Sequence, residues 1–327
     1  MSLIPLKMNY LISLIIPSHR NRKGLLRLLL SIKNQQFSPD LFEILVVFNP
    51  PDQSFVKYLE HLDFTCRIIL IQSYLVSSNH ARNLGIEKAA GRILLFLDDD
   101  CELTDPLFLS KHLEFHHNNP LIAAAGGPYC LNSQSNFLIK HYHLIQTTWL
   151  QSGRKGRNSI QYLLGGNCSF KRAAIKKNLF DPKIIFGGSE TELFLRMGAQ
   201  GYEFRLLEDL AITHYSDVNL LRLIRKCFAQ GLGTEYALNK GLKPIHYIHY
   251  PSNSQIQISP SWLSFLTTTA HKAGCKYYRN KKRLKASTNE IFFRVFIEGI
   301  LHFRIVHFFP FLESLFLCLK AALKVDF

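Results

Sequence analysis

The run Ile93-Leu-Leu-Phe-Leu97, followed at once by Asp98, Asp99 and Asp100, constrains this chain more than any other stretch. Five successive apolar residues read as a strand buried on both faces, as in a parallel sheet. Ligands of such sheets bind beyond the carboxyl ends of the strands, where the three acids fall. Adjacent carboxylates raise one another's pKa unless a cation or hydrogen-bond donors compensate them. A divalent cation, Mg2+ or Mn2+, matches oxygen ligands of this kind. A solvated acidic turn is the other reading of the triplet.

The neighbouring sequence supplies partners for that strand. Leu11 to Pro17, Phe42 to Phe48 and Arg67 to Ile71 read as strands, separated by helical patterns over 21–35, 54–62 and 78–90. This alternation predicts parallel βαβ units and a Rossmann-like nucleotide-binding half. No GxGxxG or GxxxxGK[ST] occurs, so a dinucleotide fingerprint or P-loop is not supported. Farther on, Pro106 to Asn118 reads as a helix and Ile122 to Ala125 as a short strand, while Asn132 to Arg157 has weak periodicity. Ser189 and Glu192 have the spacing of a capping box, which gives Glu192 a purely structural role as one reading. A basic amphipathic helix follows, with Leu220, Leu221, Ile224 and Phe228 on one side. The expected organisation is a catalytic-type α/β domain over 1–245, an irregular linker over 246–270 and a basic, amphipathic helical tail over 271–327.

The 327 residues carry 39 Lys and Arg against 24 Asp and Glu, a net charge of +15, which favours anionic partners. No acid occurs between Phe115 and Phe180, although eight Lys and Arg do, so this section is expected to face something negative. Seven scattered cysteines without a CxxC pair fit a reducing compartment better than a disulfide framework or zinc site. In the tail, Arg294, Glu298 and His302 form one polar stripe opposite Phe292, Phe293, Phe296 and Ile297. A basic cluster beside such a helix is the pattern of an anchor on anionic lipid, the alternative being a helix packed on the chain's own core or on a second subunit. No uncharged run there reaches the roughly 20 residues of a spanning helix.

Five motifs in order make the section from Leu11 to His214 resemble the family 2 glycosyltransferases of the GT-A fold. They are Ile-Ile-Pro-Ser-His-Arg20, His80-Ala-Arg-Asn-Leu-Gly85, Leu95-Phe-Leu-Asp-Asp-Asp100, Gly165-Gly-Asn-Cys-Ser-Phe-Lys-Arg172, and Gly187-Gly-Ser-Glu-Thr-Glu-Leu193 with Arg196. The resemblance implies a mostly parallel central sheet flanked by helices, with a C-terminal helical appendage. It implies transfer of a sugar from a nucleotide-diphosphate sugar, with inversion and a divalent cation, Mn2+ or Mg2+. Carried over, Pro17, Ser18, Arg20 and Arg82 would line the nucleotide pocket. Asp98 would bind the ribose and stand near the metal, Asp100 would hold the metal, and His214 could complete that site. Gly166, Asn167, Glu192 and Arg196 would border the donor and acceptor pocket.

Two departures stand out. The second strand ends Val46-Val47-Phe48-Asn49-Pro50-Pro51, without the family's usual Asp residues, so Asn49 becomes the candidate for a base edge. The acid pair before the late helix reads Ser189-Glu190, which puts Glu190 at the position of the catalytic base, with Glu192 in reserve. The expected activity is glycosyl transfer to a lipid-linked or envelope glycan, by a cytoplasmic protein peripheral on the cytoplasmic face of a membrane. A nucleotidyltransferase also uses paired acids and metal, but leaves Gly187 to Arg196 unexplained. A degenerate, non-catalytic member that holds glycan or nucleic acid is the third reading; no nucleic-acid motif supports the latter partner.

Overall fold

The computed structural model describes residues 10–185, 187–244 and 261–281. The nucleotide half builds as the alternation predicts: β1 (Ile12–Ser18), α1 (Arg22–Lys33), β2 (Phe42–Phe48), α2 (Gln53–Glu60), β3 (Arg67–Gln72), α3 (Ser78–Lys88) and β4 (Ile93–Leu97). A two-residue strand β5 (Cys101–Glu102) precedes α4 (Phe108–Asn118), β6 (Ala124–Gly126), β7 (Tyr129–Leu131), α5 (Phe137–Ser152) and β8 (Ser159–Ile160). The chain continues through β9 (Asn167–Lys171), α6 (Arg172–Lys176), α7 (Ser189–Ala199), β10 (Phe204–Leu206), β11 (Ile212–His214), α8 (Leu220–Asn239) and α9 (Ser261–Lys281).

The main sheet has the order β3-β2-β1-β4-β9-β6-β10-β8. Strands β3, β2, β1 and β4 are parallel, so the residues after Ser18, Phe48 and Leu97 emerge along one edge. Strand β9 enters between β4 and β6 antiparallel to both, with Leu97 opposite Asn167. This reversal brings the start of β9, preceded by Gly165 and Gly166, to the end of β4. A second sheet, β5-β11-β7, pairs His214 with Cys101 and so sets His214 beside the acid triplet.

Strands β1, β2 and β4 bury almost every side chain, which explains their continuous apolar runs. Each buried Ile, Leu or Phe there contributes about 1.5–3 kcal/mol relative to exposure. Behind the site, Phe96 meets Phe170 and Phe180 edge-on at centroid distances of 5.7 and 5.6 Å. Helices α8 and α9 pack closely enough for a Cβ at Gly231 to overlap the His271 carbonyl, and one at Gly274 the Phe228 carbonyl.

Some expectations change. Residues 137–152, whose periodicity was weak, form the 16-residue helix α5. Residues 261–270 of the expected linker, and the first part of the expected tail, belong to α9, whose inner face is fixed by its packing on α8. The proposed anchor helix and most of the remaining tail lie outside the described residues. Among the described residues, no helix is long and apolar enough to cross a membrane. Several cations of the acid-free section have internal partners: Arg154 pairs with Glu208, Lys171 donates to the carbonyl of Asn119 at 2.7 Å, and Arg172 to that of Ala90 at 2.8 Å.

One buried polar group makes a prediction about stability. On α4, His112 Nδ1 and His116 Nε2 each lie 2.8 Å from Ser169 Oγ, and that hydroxyl donates to the Ala125 carbonyl at 3.2 Å. Both rings therefore donate to the serine oxygen. Their far nitrogens, His112 Nε2 and His116 Nδ1, have no partner among the described residues. Protonation would place an N–H in the core without an acceptor, and burial lowers the two pKa values from 6.5 to about 3 and about 4. A depressed histidine pKa gives stability that is complete above the unfolded value and declines as pH falls below it. Each ring should remove roughly 1.4 kcal/mol per pH unit below about pH 6.5 until its folded pKa is reached. Thermal unfolding followed from pH 7 to pH 5 should show this decline, with a shallower slope in His116→Gln.

Candidate active site

The site begins on α3. Ser77 caps this helix, its hydroxyl accepting from the His80 N–H at 3.3 Å. One turn holds Asn79, Arg82 and Asn83. Asn83 exchanges two hydrogen bonds with the Phe180 backbone, at 2.9 and 3.0 Å. Asn79 donates to the carbonyls of Asp181 and Ile184 at 2.8 and 3.1 Å. Gly85 lies against Ile15 so closely that a Cβ would overlap its side chain. These contacts fix the helix that carries Arg82.

Arg82 is buried, and its guanidinium bridges two carboxylates. Nη1 is 3.0 Å from Glu190 Oε1 and Nη2 is 3.3 Å from Asp98 Oδ1. Burial opposes the charge, but Glu190 and then Asp98 hold the pKa of Arg82 above its ordinary value. Arg82, expected beside the nucleotide, thus joins the end of β4 to the start of α7. Glu190 sits in the first turn of α7, where the helix dipole favours an anion. Gly165 and Gly166 pass directly beneath. A Cβ at Gly165 would overlap the Glu190 carboxylate, and one at Gly166 would overlap that of Asp98 and the hydroxyl of Tyr129.

The three aspartates point to three tasks. Asp98 Oδ2 accepts from the Tyr129 hydroxyl at 3.2 Å, while the tyrosine oxygen accepts from the Gly166 N–H at 3.1 Å. Asp99 turns toward the loop after β1, accepting from the His19 N–H at 3.0 Å and from Asn21 Nδ2 at 3.1 Å. Burial raises the pKa of Asp99 to about 6 despite those donors. Asp100 Oδ1 lies 3.2 Å from His214 Nε2. Burial disfavours its charge, yet the hydrogen bond and charge of His214, with help from Lys226, keep its pKa below the usual carboxylate value.

His214 is oriented by two neighbours. Its Nδ1 lies 2.8 Å from Ser216 Oγ, and its ring stacks on Tyr129 at 4.2 Å and 3°. With a cation between His214 and Asp100, Nδ1 would donate to Ser216 and Nε2 would offer its lone pair to the cation in place of the hydrogen bond to Asp100. Asp100, Cys101 and His214 offer ligand atoms within 4.8 Å of one another. Burial raises the Cys101 thiol well above its ordinary pKa, and its Sγ faces the Gly166 carbonyl, so it is a poor partner for a hard cation. The carboxylate suits a hard cation such as Mn2+ or Mg2+, and the added imidazole favours Mn2+ of the two.

Other candidates have different surroundings. Pro17 and Ser18 end β1, and Ser18 receives the Asn49 N–H at its carbonyl. Arg20 is exposed in the following turn with φ of 56°. Asn49 is not available for a base edge: its side chain donates to Ser73 Oγ and the Leu75 carbonyl and accepts from the Ser77 N–H. Asn167 is fully buried and donates to the Leu210 carbonyl at 2.8 Å. Glu192 is also buried, gripped by Arg196 at 2.9 Å and Lys240 at 2.7 Å, so the reserve base is enclosed. Arg196 points with it toward Asn178 and Leu179. The expected capping box does not form. Gly188, at φ 89°, caps α7 without a side-chain bond, because its backbone abuts Gly233 of α8.

A cleft of about 170 Å³ opens beside Asp98 and Glu190, walled by α5, α7, α8 and α9. Tyr142, Gln146, Trp149, Gln230 and His271 line it, none of which was singled out from the sequence. Tyr129 was missed as well, although it follows the Gly126-Gly127-Pro128 turn. That turn was the available signal.

This architecture is that of the GT-A nucleotide-sugar transferases. A mannosyltransferase from Pyrobaculum calidifontis, solved with GDP-Man and Mn2+, superposes with a TM-score of 0.56 at 13% identity, covering 97% of this chain and 81% of that one. The S. aureus protein TarS, residues 1–349 with UDP-GlcNAc, gives 0.55 at 14% identity over 88% of this chain and 81% of its own. Such identities establish likeness of fold. Residues 13–181, just over half of the chain, match the family model for glycosyl transferase family 2, and the chain belongs to that family. Among curated relatives, glycosyltransferase AglE of Haloferax volcanii is 32% identical over 97 residues. A GalNAc(5)-diNAcBac-PP-undecaprenol beta-1,3-glucosyltransferase of Campylobacter jejuni is 35% identical over 94 residues. Each match spans 28% of this chain and 30% of the relative's length.

The close passage of Gly166 yields a direct test. In Gly166→Ala the new methyl must displace Asp98 or Tyr129, a change of the overpacking kind that costs about 1–3 kcal/mol. Thermal unfolding should show that loss, and nucleoside-diphosphate binding should weaken more than in Gly156→Ala, where a Cβ meets open space.

Proposed function

We propose that this protein transfers a sugar from a nucleotide-diphosphate sugar to a hydroxyl of a glycan or lipid-linked acceptor, with inversion. The observation that carries this reading is the Asp98-Arg82-Glu190 bridge, which holds a donor-side acid and a candidate base beside one cleft. In this scheme Glu190 Oε takes the acceptor hydroxyl proton as the oxygen attacks the anomeric carbon. The bond from that carbon to the diphosphate oxygen breaks, and its electron pair leaves with the nucleoside diphosphate. Attack opposite the leaving group inverts the centre.

Asp100 and His214, with Asp98 beside them, would hold the divalent cation. When bound, the cation supplies charge neutralisation for the departing diphosphate. The chain's own residues do the rest. Arg82 keeps Glu190 aimed by direct pairing, Asp99 ties the loop after β1 to the end of β4, and Tyr129 orients Asp98 and braces His214. The nucleotide sugars named with two structural neighbours and the undecaprenol-linked substrate named for the Campylobacter relative support these classes of donor and acceptor. The net charge of +15 supports peripheral attachment to an anionic membrane, on the cytoplasmic side where nucleotide sugars are expected.

The full-length protein should release nucleoside diphosphate from at least one of a panel of UDP- and GDP-sugars when given Mn2+ and a membrane extract as acceptor. Chelation should stop the release and Mn2+ restore it. Glu190→Gln should lower turnover by about 10²–10⁴-fold while preserving nucleoside-diphosphate affinity. Wild-type turnover in that variant would remove Glu190 as the base, and no release from any donor would reject the transferase reading.

A further inference from the structure

The cleft beyond Glu190 has a composition that the transfer chemistry alone does not demand. Asp98, Tyr129 and Gly165 close it toward the end of β4, and its other walls come from α5, α7, α8 and α9, with no residue of β3, β2 or β1 in the lining. Donor-side elements lie at the end of β4. A base must face its acceptor, so the space on the far side of Glu190 is the acceptor side.

Two aromatic side chains shape that space. Trp149 is backed by Tyr162, with centroids 4.3 Å apart and planes 19° from parallel. Tyr162 is itself fully buried, and its hydroxyl lies 2.6 Å from Ser152 Oγ. Trp149 therefore has a fixed attitude, and orienting it for a ligand costs little side-chain entropy. Tyr142, about two helical turns earlier on α5, carries the Lys226 ammonium 4.6 Å from its ring centroid. Ile145 and Leu164 complete an apolar floor, and Gln146 and Gln230 add amides that can both donate and accept.

The charge pattern narrows the ligand. Asp98 and Glu190 are the only charged groups lining the cleft among the described residues. Arg82 is engaged by both carboxylates and Lys226 by the ring of Tyr142, so an anionic ligand would meet two carboxylates and no cation in the lining itself. His271 adds no charge near neutral pH, since burial lowers its pKa to about 4. Apolar ring faces with amide readers match the two characters of a pyranose, a C–H face and a rim of hydroxyl or acetamido groups.

We propose that this cleft is the acceptor subsite and that it takes the terminal pyranose of a neutral glycan, stacked on Trp149 and Tyr142 and read by Gln146 and Gln230. The assignment rests on the transferase reading above and adds the acceptor's class to it. It separates acceptor recognition from the nucleotide half, so the two can fail independently.

The test uses the full chain with Mn2+ and UDP or GDP, whichever binds. Calorimetry then follows methyl β-glucoside, methyl β-galactoside and methyl N-acetyl-β-glucosaminide as neutral probes and methyl β-glucuronide as the anionic one, at millimolar concentrations. At least one neutral glycoside should bind saturably and the glucuronide more weakly. Trp149→Ala and Gln146→Ala should each weaken that neutral ligand by roughly tenfold and leave nucleoside-diphosphate affinity unchanged. Trp149→Phe, which keeps an aromatic face, should retain more affinity than Trp149→Ala and guards against misfolding of the latter. Normal nucleoside-diphosphate binding with no neutral glycoside bound would overturn the subsite, as would tighter binding of the glucuronide or indifference to both alanine variants. Absence of nucleoside-diphosphate binding as well would instead reject the underlying transferase reading.

Discussion

A buried guanidinium between two carboxylates organises this molecule. An unpaired charge in such a place costs several kcal/mol, and a single acid would leave part of the donor fork unmatched. Arg82 therefore needs both Asp98 and Glu190, although these residues are 92 positions apart and belong to different elements. The surrounding backbone conforms to that need. Two glycines run beneath the acids because any side chain would push them off the fork, and two asparagines grip the loop ahead of α7 so that Arg82 cannot drift. The two carboxylates that border the cleft are thus also the ones that hold the buried guanidinium.

The acid triplet shows how a few adjacent residues can serve different neighbours. Asp98 belongs to the arginine bridge, Asp99 to the loop after β1, and Asp100 to His214. Mutual repulsion is relieved by sending each carboxylate to a different partner. The small second sheet makes the last of these pairings, because β11 runs beside β5 and delivers His214 directly after the triplet. A stack on Tyr129 then links that imidazole back to Asp98 through the tyrosine hydroxyl.

The nucleotide half was legible because its strands are buried on both faces and so are apolar at every position; β4 and β2 match their expected limits residue for residue. Glu190, Asp98, Asp100 and His214 could be named because each sits in a short motif with a fixed relation to a strand or helix end. The wall of the cleft beside Glu190 was not legible. Helix α5 has aromatic, amide and histidine residues all round, since it touches β7 and α8 while also lining a cleft, and no single apolar stripe results. The internal partners of Asn49, Asn167 and Glu192 were not legible either. Polar residues near a motif look available in sequence, whereas here Asn49 and Asn167 donate to backbone carbonyls and Glu192 pairs with internal cations.

The glycine contact between the start of α7 and α8 has a mechanical consequence. Gly188 rests on Gly233 backbone to backbone, with no side chain between them. Ordinarily a shift of one helix is absorbed by rotamer changes in the side chains that separate it from its neighbour. Here that cushion is missing, so a displacement of α8 passes undamped into the first turn of α7, two residues from Glu190. The position of the Glu190 carboxylate is thereby tied to the seating of α8, whose Gln230 also lines the cleft.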